Sequence, residues 1–171
     1  QVPSPPRLVA DFSTTPVTAV SSEPAEFVAV GAMTCFVATT PTHGRELYRS
    51  FGSRSTTALV RDLADGSASS FPSSLTAVAS RLFFFADDGV HGREVYVSDG
   101  TEAGTRLVAD LEPGAAGSIL RGGFAVNGKF VFARGDQSFG REPWVTDGTA
   151  AGTHMLADIN VGSRSSFSTL E

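Results

Sequence analysis

Short apolar segments separated by turn residues run along the chain and predict β-strands. Leu82–Ala86 is a continuous apolar run of the kind found in strands buried on both faces. In Arg93–Ser98 the two valines alternate with polar and aromatic residues, which is the period of two of a strand. These runs are rich in Val, Phe and Thr and are broken by Gly and Pro, which disfavours helices.

Turn residues join these segments into hairpins. Asn127-Gly128 lies between the apolar segments Phe124–Val126 and Lys129–Ala133, and this dipeptide is a strong hairpin signal because both turn residues must adopt positive φ. A further strand at Arg106–Leu111 follows the Asp-Gly-Thr turn and precedes a link rich in Pro, Gly and Ser. The pattern therefore predicts four antiparallel strands in each unit.

The predicted unit is repeated along the chain. The sequence of Gly92–Thr105 returns at Gly140–Thr153, and a more divergent copy begins at Gly44. The arginines of the three copies, Arg45, Arg93 and Arg141, are 48 positions apart. A period of roughly 40 to 50 residues is typical of propeller blades or helical arrays, and the strand pattern favours the blades.

We therefore predict an all-β protein, a β-propeller built from four-stranded antiparallel blades of about 48 residues. An antiparallel sandwich is the main alternative, although even spacing suits radial repetition better. A propeller needs about four to eight blades and the chain offers three. Closure is expected either from a homodimer of three plus three blades or from sequence outside this chain. The predicted divisions are a lead at 1–7, repeats at 8–57, 58–105 and 106–153, and a further repeat or closing strand at 154–171.

Composition and charge narrow the functional classes. The formal net charge is −5 and the 13 basic residues form no cluster along the sequence, so nucleic acid is not an expected partner. No apolar stretch approaches the roughly 20 residues of a membrane-spanning helix. The lone Cys35 excludes an intrachain disulfide and is expected to be a buried apolar residue. The Pro-rich start at Gln1 is what removal of a secretion signal, or cutting from a longer precursor, would leave.

The repeated phrase Gly-Arg-Glu-Val-Tyr-Val-Ser-Asp-Gly-Thr, preceded by Leu-Phe-Phe-Phe-Ala-Asp-Asp-Gly-Val-His, resembles the ELWxxDGT repeat family of secreted and surface bacterial proteins, also called hyalin-like, as in myxobacteria. The resemblance covers nearly the whole chain from Leu8. It is weaker in the first copy, where Phe51 replaces the turn Asp and Ser53 the Thr. The resemblance implies a β-propeller and a secreted or cell-surface location. The family has no shared catalytic residues to carry over.

Several repeated charged residues are expected to be structural. A turn Asp can accept a hydrogen bond from the backbone two residues on, and an Asp at the end of the fourth strand can bind loop amides. Adjacent Arg and Glu on a strand point to opposite faces and could each bridge to a neighbouring blade. These residues are Asp99, Asp147, Asp62, Asp110, Asp158, Arg45, Glu46, Arg93, Glu94, Arg141 and Glu142.

Other residues are candidates for binding. The loop with Asp87, Asp88 and His91 holds oxygen ligands that could bind calcium, although it lacks the full EF-hand ligand pattern. No other cofactor is expected. The third copy carries Arg134-Gly135-Asp136, a tripeptide known from adhesion ligands, although a match of three residues often arises by chance. The aromatic residues of one strand position could stack on sugars or pack between blades; they are Tyr48, Tyr96 and Trp144.

No catalytic residues are predicted. His43 and His91 occupy matching positions, but Phe139 replaces them in the third copy. The sequence has no His-Glu-x-x-His, no Gly-x-Ser-x-Gly and no Gly-x-x-x-x-Gly-Lys-Ser/Thr motif. We expect a secreted or surface non-enzymatic module that binds a protein or glycan through the variable loops Thr39–His43, Asp87–His91 and Gly135–Phe139. Two alternatives stay open: a non-catalytic part of a larger secreted hydrolase, and a structural matrix or coat building block.

Overall fold

The computed structural model describes residues 21–136 and 140–161, apart from the side chain of Asp136. Its strands form three four-stranded antiparallel sheets. The first sheet contains β1 Ala25–Val30, β2 Met33–Thr40, β3 Gly44–Ser50 and β4 Ala58–Arg61; the second contains β5 Ser73–Val78, β6 Arg81–Asp87, β7 Arg93–Ser98 and β8 Arg106–Ala109; the third contains β9 Ile119–Val126, β10 Lys129–Asp136, β11 Gly140–Thr146 and β12 His154–Met155.

Within each sheet the strands lie in chain order, so every connection is a hairpin between neighbours. The predictions of an all-β chain and of four-stranded antiparallel units are thereby confirmed. The predicted turn at Asn127-Gly128 joins β9 to β10 with φ values of 49° and 73°. A short 3-10 turn at Arg54–Thr56 lies between β3 and β4. Among the described residues, no helix has the length and apolar character needed to cross a membrane.

The sheets are offset from the predicted sequence divisions. The repeat at 58–105 begins with the residues of β4, yet β4 pairs with β3 and completes the first sheet. In the same way β8 pairs with β7, although residue 106 opens the next sequence repeat. The first and second sheets are thus each followed by a link of about ten residues that leads into the first strand of the next sheet.

The first strand of each sheet contains a β-bulge at the same position. Its pairing register shifts between Ala25 and Val28 in β1, between Ser73 and Thr76 in β5, and at the corresponding part of β9. The bulged residues adopt positive φ, at 53° for Glu26, 56° for Ser74 and 64° for Gly122. A bulge bends the strand and increases its twist, so all three first strands bend alike.

Two apolar cores join the sheets face to face in chain order. The first core packs Cys35, Val37 and Leu47 of the first sheet against Phe84 and Tyr96 of the second. The second core packs the opposite face of the second sheet, including Phe83, Phe85 and Val95, against Phe130 and Phe132 of the third. The first strands also meet, since β1 contacts β5 and β5 contacts β9.

The third sheet has an exposed apolar face in the part of the chain that the structure describes. On β9 the side chain of Phe124 is 68% exposed and that of Val126 is 48% exposed. In the second sheet the corresponding face is covered by its neighbour, because it forms the second core. The described residues form three stacked sheets and no closed propeller, so the propeller stays a prediction.

Candidate functional site

The aspartates of the Asp-Gly-Thr turns are bound within their own turns. Asp99 Oδ1 accepts hydrogen bonds from the backbone N of Thr101 at 2.9 Å and from its hydroxyl at 2.6 Å. Asp147 accepts the same pair from Thr149, at 2.9 Å and 2.7 Å. These bonds favour the charged form and lower the pKa of both carboxyls. The turn aspartates therefore stabilise local structure.

The turn of the first sheet replaces this carboxylate with a hydroxyl. Phe51 stands at the position of Asp99, and Thr56 at that of Gly104. The Thr56 hydroxyl accepts hydrogen bonds from the backbone N of Phe51 at 3.2 Å and of Ser53 at 3.3 Å. In the divergent copy the acceptor in the turn is therefore the side chain at the Gly104 position and not the one at the Asp99 position.

The glutamates of the three Gly-Arg-Glu sequences are fully buried. Glu94 Oε1 accepts hydrogen bonds from the backbone N of Glu112 at 3.1 Å and from the hydroxyl of Ser118 at 2.8 Å. Glu46 Oε1 likewise accepts from the backbone N of Ser70 at 3.0 Å. Both serines lie in the link that enters the next sheet, so each glutamate joins its own sheet to the following segment.

The buried glutamate of the third sheet also binds the segment that follows its sheet. Glu142 Oε2 accepts a hydrogen bond from the backbone N of Ile159 at 3.0 Å. Burial raises the pKa of the Glu46 and Glu94 carboxyls, although the hydrogen bonds from the link serines act in the opposite direction. The side chains of Glu46 and Glu94 are therefore internal.

The aspartates that follow the fourth strands differ from one another. Asp62 Oδ2 accepts a hydrogen bond from the backbone N of Gly66 at 3.1 Å, which shapes the link after β4. Its other oxygen, and Oδ1 of Asp158, are buried without a hydrogen-bond partner. Asp110 is exposed.

The predicted calcium loop binds its own backbone. Asp87 Oδ1 accepts from the N of Gly89 at 2.8 Å, and Asp88 Oδ1 accepts from the N of Val90 at 2.9 Å and of His91 at 2.8 Å. Asp88 Oδ2 lies 2.7 Å from Nδ1 of His91. Within residues 21–136 and 140–161, no group of three His, Cys, Asp or Glu side chains is arranged to hold a metal ion.

The Asp88–His91 pair has shifted pKa values. Burial opposes ionisation of Asp88, but the hydrogen bonds from His91 and Val90 outweigh it and lower the pKa to about 2. The same hydrogen bond and charge raise the pKa of His91. The pair borders a cavity of about 350 Å³ that also contacts Arg61, Asp65 and Arg106.

The aromatic candidates pack inside the sheets. Tyr96 is buried with its ring 5.8 Å from that of Phe84, and Tyr48 is buried with its ring 6.1 Å from that of Phe36. Burial, with the Asp88 charge, raises the pKa of Tyr96 above its ordinary value. Trp144 is half-buried. Both tyrosine side chains are therefore almost fully shielded from solvent.

The Arg134-Gly135-Asp136 sequence begins inside the protein. The Arg134 guanidinium is buried, donates to the carbonyl of Leu111 at 2.7 Å, and lies 3.0 Å from a carboxylate oxygen of Glu112. It also lies 4.9 Å above the ring of Trp144. The side chain of Asp136 and the rest of the predicted loop, residues 137–139, lie outside the described residues.

A further cavity, at the junction of the three sheets, was not expected from the sequence. It occupies about 660 Å³ and is bordered by all three sheets and by the links between them. We call it the arginine cleft; its lining residues are Glu26, Arg45, Phe71, Pro72, Ser73, Arg93, Ala116, Gly117, Ser118, Ile119, Leu120 and Arg121. Arg45 and Arg93 were predicted to be structural, whereas Arg121 was not singled out, because only the stacking of the sheets brings it beside them.

The side chains of the cleft are held in place by a few polar contacts. Arg93 donates to the Ser73 hydroxyl at 2.6 Å and lies 5.4 Å above the ring of Phe85. Arg45 donates to the carbonyl of Glu23 at 3.2 Å. Burial and the charge of Arg121 lower the pKa of Arg93, whereas Glu26 and Asp87 act in the opposite direction. The guanidinium of Arg93 is therefore partly buried and lies close enough to Arg121 to be affected by its charge.

The lone cysteine does not contribute to a reactive site. Cys35 is buried in the first core. Burial raises the pKa of its thiol to about 11, against a smaller opposing effect of the Arg49 charge, so the thiol is protonated at neutral pH. Comparison of the chain with models of protein families, with curated proteins and with solved structures gave no match.

Proposed function

We propose that the chain is part of a secreted or cell-surface bacterial β-propeller of the ELWxxDGT type, which binds a protein or glycan partner and catalyses no reaction. Each four-stranded sheet would be one blade. Face-to-face packing in chain order and the contacts of β1 with β5 and of β5 with β9 support this view, because blades pack in this way around an axis.

The binding surface would lie at the end of the sheets that carries the loops β2–β3 and β6–β7. Arg45 is the second residue of β3 and Arg93 the first of β7, so each follows one of these loops directly. The observation that supports the proposal most is the arginine cleft, a cavity of about 660 Å³ at this end with a wall from every sheet. Cavities of this size are typical of ligand sites.

An exchange of loops tests the proposal. Residues Asp87–His91 would be replaced by those of Thr39–His43, which occupy the matching position, and binding would be measured on an array of purified glycans and extracellular proteins. As a control, Glu102 and Ala103 in the turn at the opposite end would be replaced by serine. We expect the loop exchange to abolish binding and the control to retain it, with unchanged β circular dichroism in both. Unchanged binding by the exchanged protein would contradict the proposal.

We further propose that a second copy of the chain covers the exposed face of the third sheet, giving three plus three blades. The face carries apolar side chains, including Phe124 and Val126, and it corresponds to the face of the second sheet that packs against a following sheet. An apolar surface of this kind favours association.

A further inference from the structure

We propose that the arginine cleft binds the carboxylate groups of an acidic polysaccharide. The inference rests on the proposed function and names its ligand class. It depends on three properties of the cleft: its concentration of cations, the geometry of those cations, and the apolar side chains at its edge.

Cations are concentrated in this cleft although the chain as a whole is acidic. Arg45, Arg93 and Arg121 border one cavity, and Glu26 is the single acidic residue in its lining. The formal net charge of the protein is −5, so the cleft is a local exception to the overall charge. A cavity lined by one sign of charge concentrates ligands of the opposite sign.

The acidic residue of the cleft already has a hydrogen-bond partner in the backbone. Glu26 Oε2 accepts a hydrogen bond from the backbone N of Leu75 at 3.1 Å, which directs this carboxylate to β5. Among the described residues, neither Arg45, Arg93 nor Arg121 forms a salt bridge with a carboxylate. A bound anion would supply this missing charge.

The geometry of the cations favours carboxylates. A guanidinium presents its donors in a planar fork that matches the two oxygens of a carboxylate. Arg93 is fixed by its hydrogen bond to Ser73 and its position above Phe85, so part of its side-chain entropy is lost before a ligand binds. Arg121 is exposed and makes no described hydrogen bond, which leaves its donors available.

Apolar side chains at the edge of the cleft favour a sugar as the carrier of the carboxylate. Phe71 is 60% exposed and Ile119 is 58% exposed, and both border the cavity. Phe71 is held with a positive φ of 48°, where its backbone N donates to the carbonyl of Arg45 at 3.3 Å. Residues held in strained backbone conformations cluster at ligand sites. The exposed ring can stack on the apolar face of a sugar.

The test measures binding of oligogalacturonate, a chain of carboxylated sugars, by isothermal titration calorimetry. Its methyl ester serves as the neutral counterpart and a hexaglutamate peptide as an acidic ligand without sugars. We expect oligogalacturonate to bind and both other ligands to bind at least about tenfold more weakly. Equal binding of the ester would overturn the role of charge, and equal binding of the peptide would overturn the assignment to a sugar. Absence of binding by oligogalacturonate would overturn the proposal altogether.

Matched variants locate the binding to the cleft. Arg121→Gln removes one cation, and Arg54→Gln removes the same charge from the exposed 3-10 turn at the other end of the sheets. Arg93→Lys keeps the charge but loses the planar fork. We expect Arg121→Gln and Arg93→Lys to weaken binding about tenfold and Arg54→Gln to leave it unchanged. Equal affinities of Arg121→Gln and Arg54→Gln would refute the location.

The array experiment separates this inference from the proposed function. If the loop exchange abolishes binding of a partner that Arg121→Gln still binds fully, the proposed binding function is supported and the proposal of an acidic polysaccharide ligand is refuted. If the unmodified protein binds nothing on the array and no oligogalacturonate, both proposals are refuted.

Discussion

The carboxylate of Asp99 occupies the space that a side chain on Gly104 would need. A Cβ at Gly104 would lie 2.1 Å from Asp99 Oδ1, and a Cβ at Gly152 would lie 2.2 Å from Asp147 Oδ1. In the first sheet both partners differ, with Phe51 in place of the Asp and Thr56 in place of the Gly. The Asp and the Gly of the repeated turn are therefore one structural unit, and one residue is replaced together with the other.

We expect Gly104→Ala to lower the free energy of unfolding by about 1–3 kcal/mol, because the added methyl group displaces the Asp99 carboxylate. In the double variant with Asp99→Ala the clash is gone. The double variant should therefore lose less stability than the sum of the losses in the two single variants. Urea unfolding followed by circular dichroism measures each value. Gly135→Ala is the control, since its Cβ would make only ordinary contacts, the nearest at 3.6 Å from Ile119. Full additivity of the two turn substitutions would refute the coupling.

The buried Glu94 should make stability depend on pH. Its pKa is raised in the folded protein by burial, so the folded state holds the proton more tightly than the unfolded state. The resulting stabilisation is complete below the ordinary value of 4.5 and is lost as the pH rises through the folded pKa. Glu94→Gln should therefore flatten this loss of stability, whereas the exposed Glu102→Gln should not. Urea unfolding across this pH range measures the slopes, and equal slopes in Glu94→Gln and the unmodified protein would contradict the expectation.

Removal of the Glu94 side chain should cost more than its neutralisation. Glu94→Ala would leave the Ser118 hydroxyl and the backbone N of Glu112 without their acceptor, at a cost of about 1–3 kcal/mol. Glu94→Gln keeps an oxygen acceptor at this position and should lose less at neutral pH. A comparison of the two variants by thermal and urea unfolding tests the order. A less stable Gln variant would show that the charge itself is required.

His91 should titrate above its ordinary value of 6.5, because Asp88 is hydrogen bonded to its imidazole and attracts its proton. A folded pKa that is raised adds stability below pH 6.5, and this contribution is lost as the pH rises through the folded pKa. Asp88→Asn should return the His91 pKa towards 6.5. The ring proton shifts of His91, followed by NMR across the pH range in both proteins, give both values. An unchanged His91 pKa in Asp88→Asn would disprove the assignment of cause.

The exposed face of the third sheet should control self-association. We expect the unmodified chain to be a dimer by size-exclusion chromatography with light scattering, and Phe124→Asp to be a monomer, because a charge would be buried in the contact. Val90→Asp places the same charge on an apolar residue of an exposed loop and should leave the dimer intact. A monomeric unmodified protein would rule out a second copy as the covering partner.

The strands and their repetition were predictable because they depend on local patterns. Leu82–Ala86 is a continuous apolar run and Arg93–Ser98 alternates with a period of two, and the two segments lie in adjacent strands of the second sheet. The bulges were not predictable: Glu26 and Ser74 share no residue type that signals positive φ, and the pairing of the neighbouring strand imposes it.

The candidate site was predictable only in part. The loop of Asp88 was identified from its position as a candidate calcium site, and in the structure this carboxylate accepts hydrogen bonds from its own loop. Arg121 gave no signal in the sequence, since its importance comes from the meeting of β9 with residues of two other sheets. Sites formed between repeats require the arrangement of the repeats, which spacing alone does not supply.

The hydrogen bonds of the buried glutamates cross from one repeat to the next, and this affects how the protein unfolds. Detachment of the third sheet would withdraw Ser118 from Glu94 and leave a carboxylate in an apolar interior with too few donors. This free-energy cost would be borne by the second sheet, which remains folded. Unfolding of one repeat therefore destabilises the repeat before it. Together with the two apolar cores between the sheets, such bonds extend cooperativity beyond the single repeat.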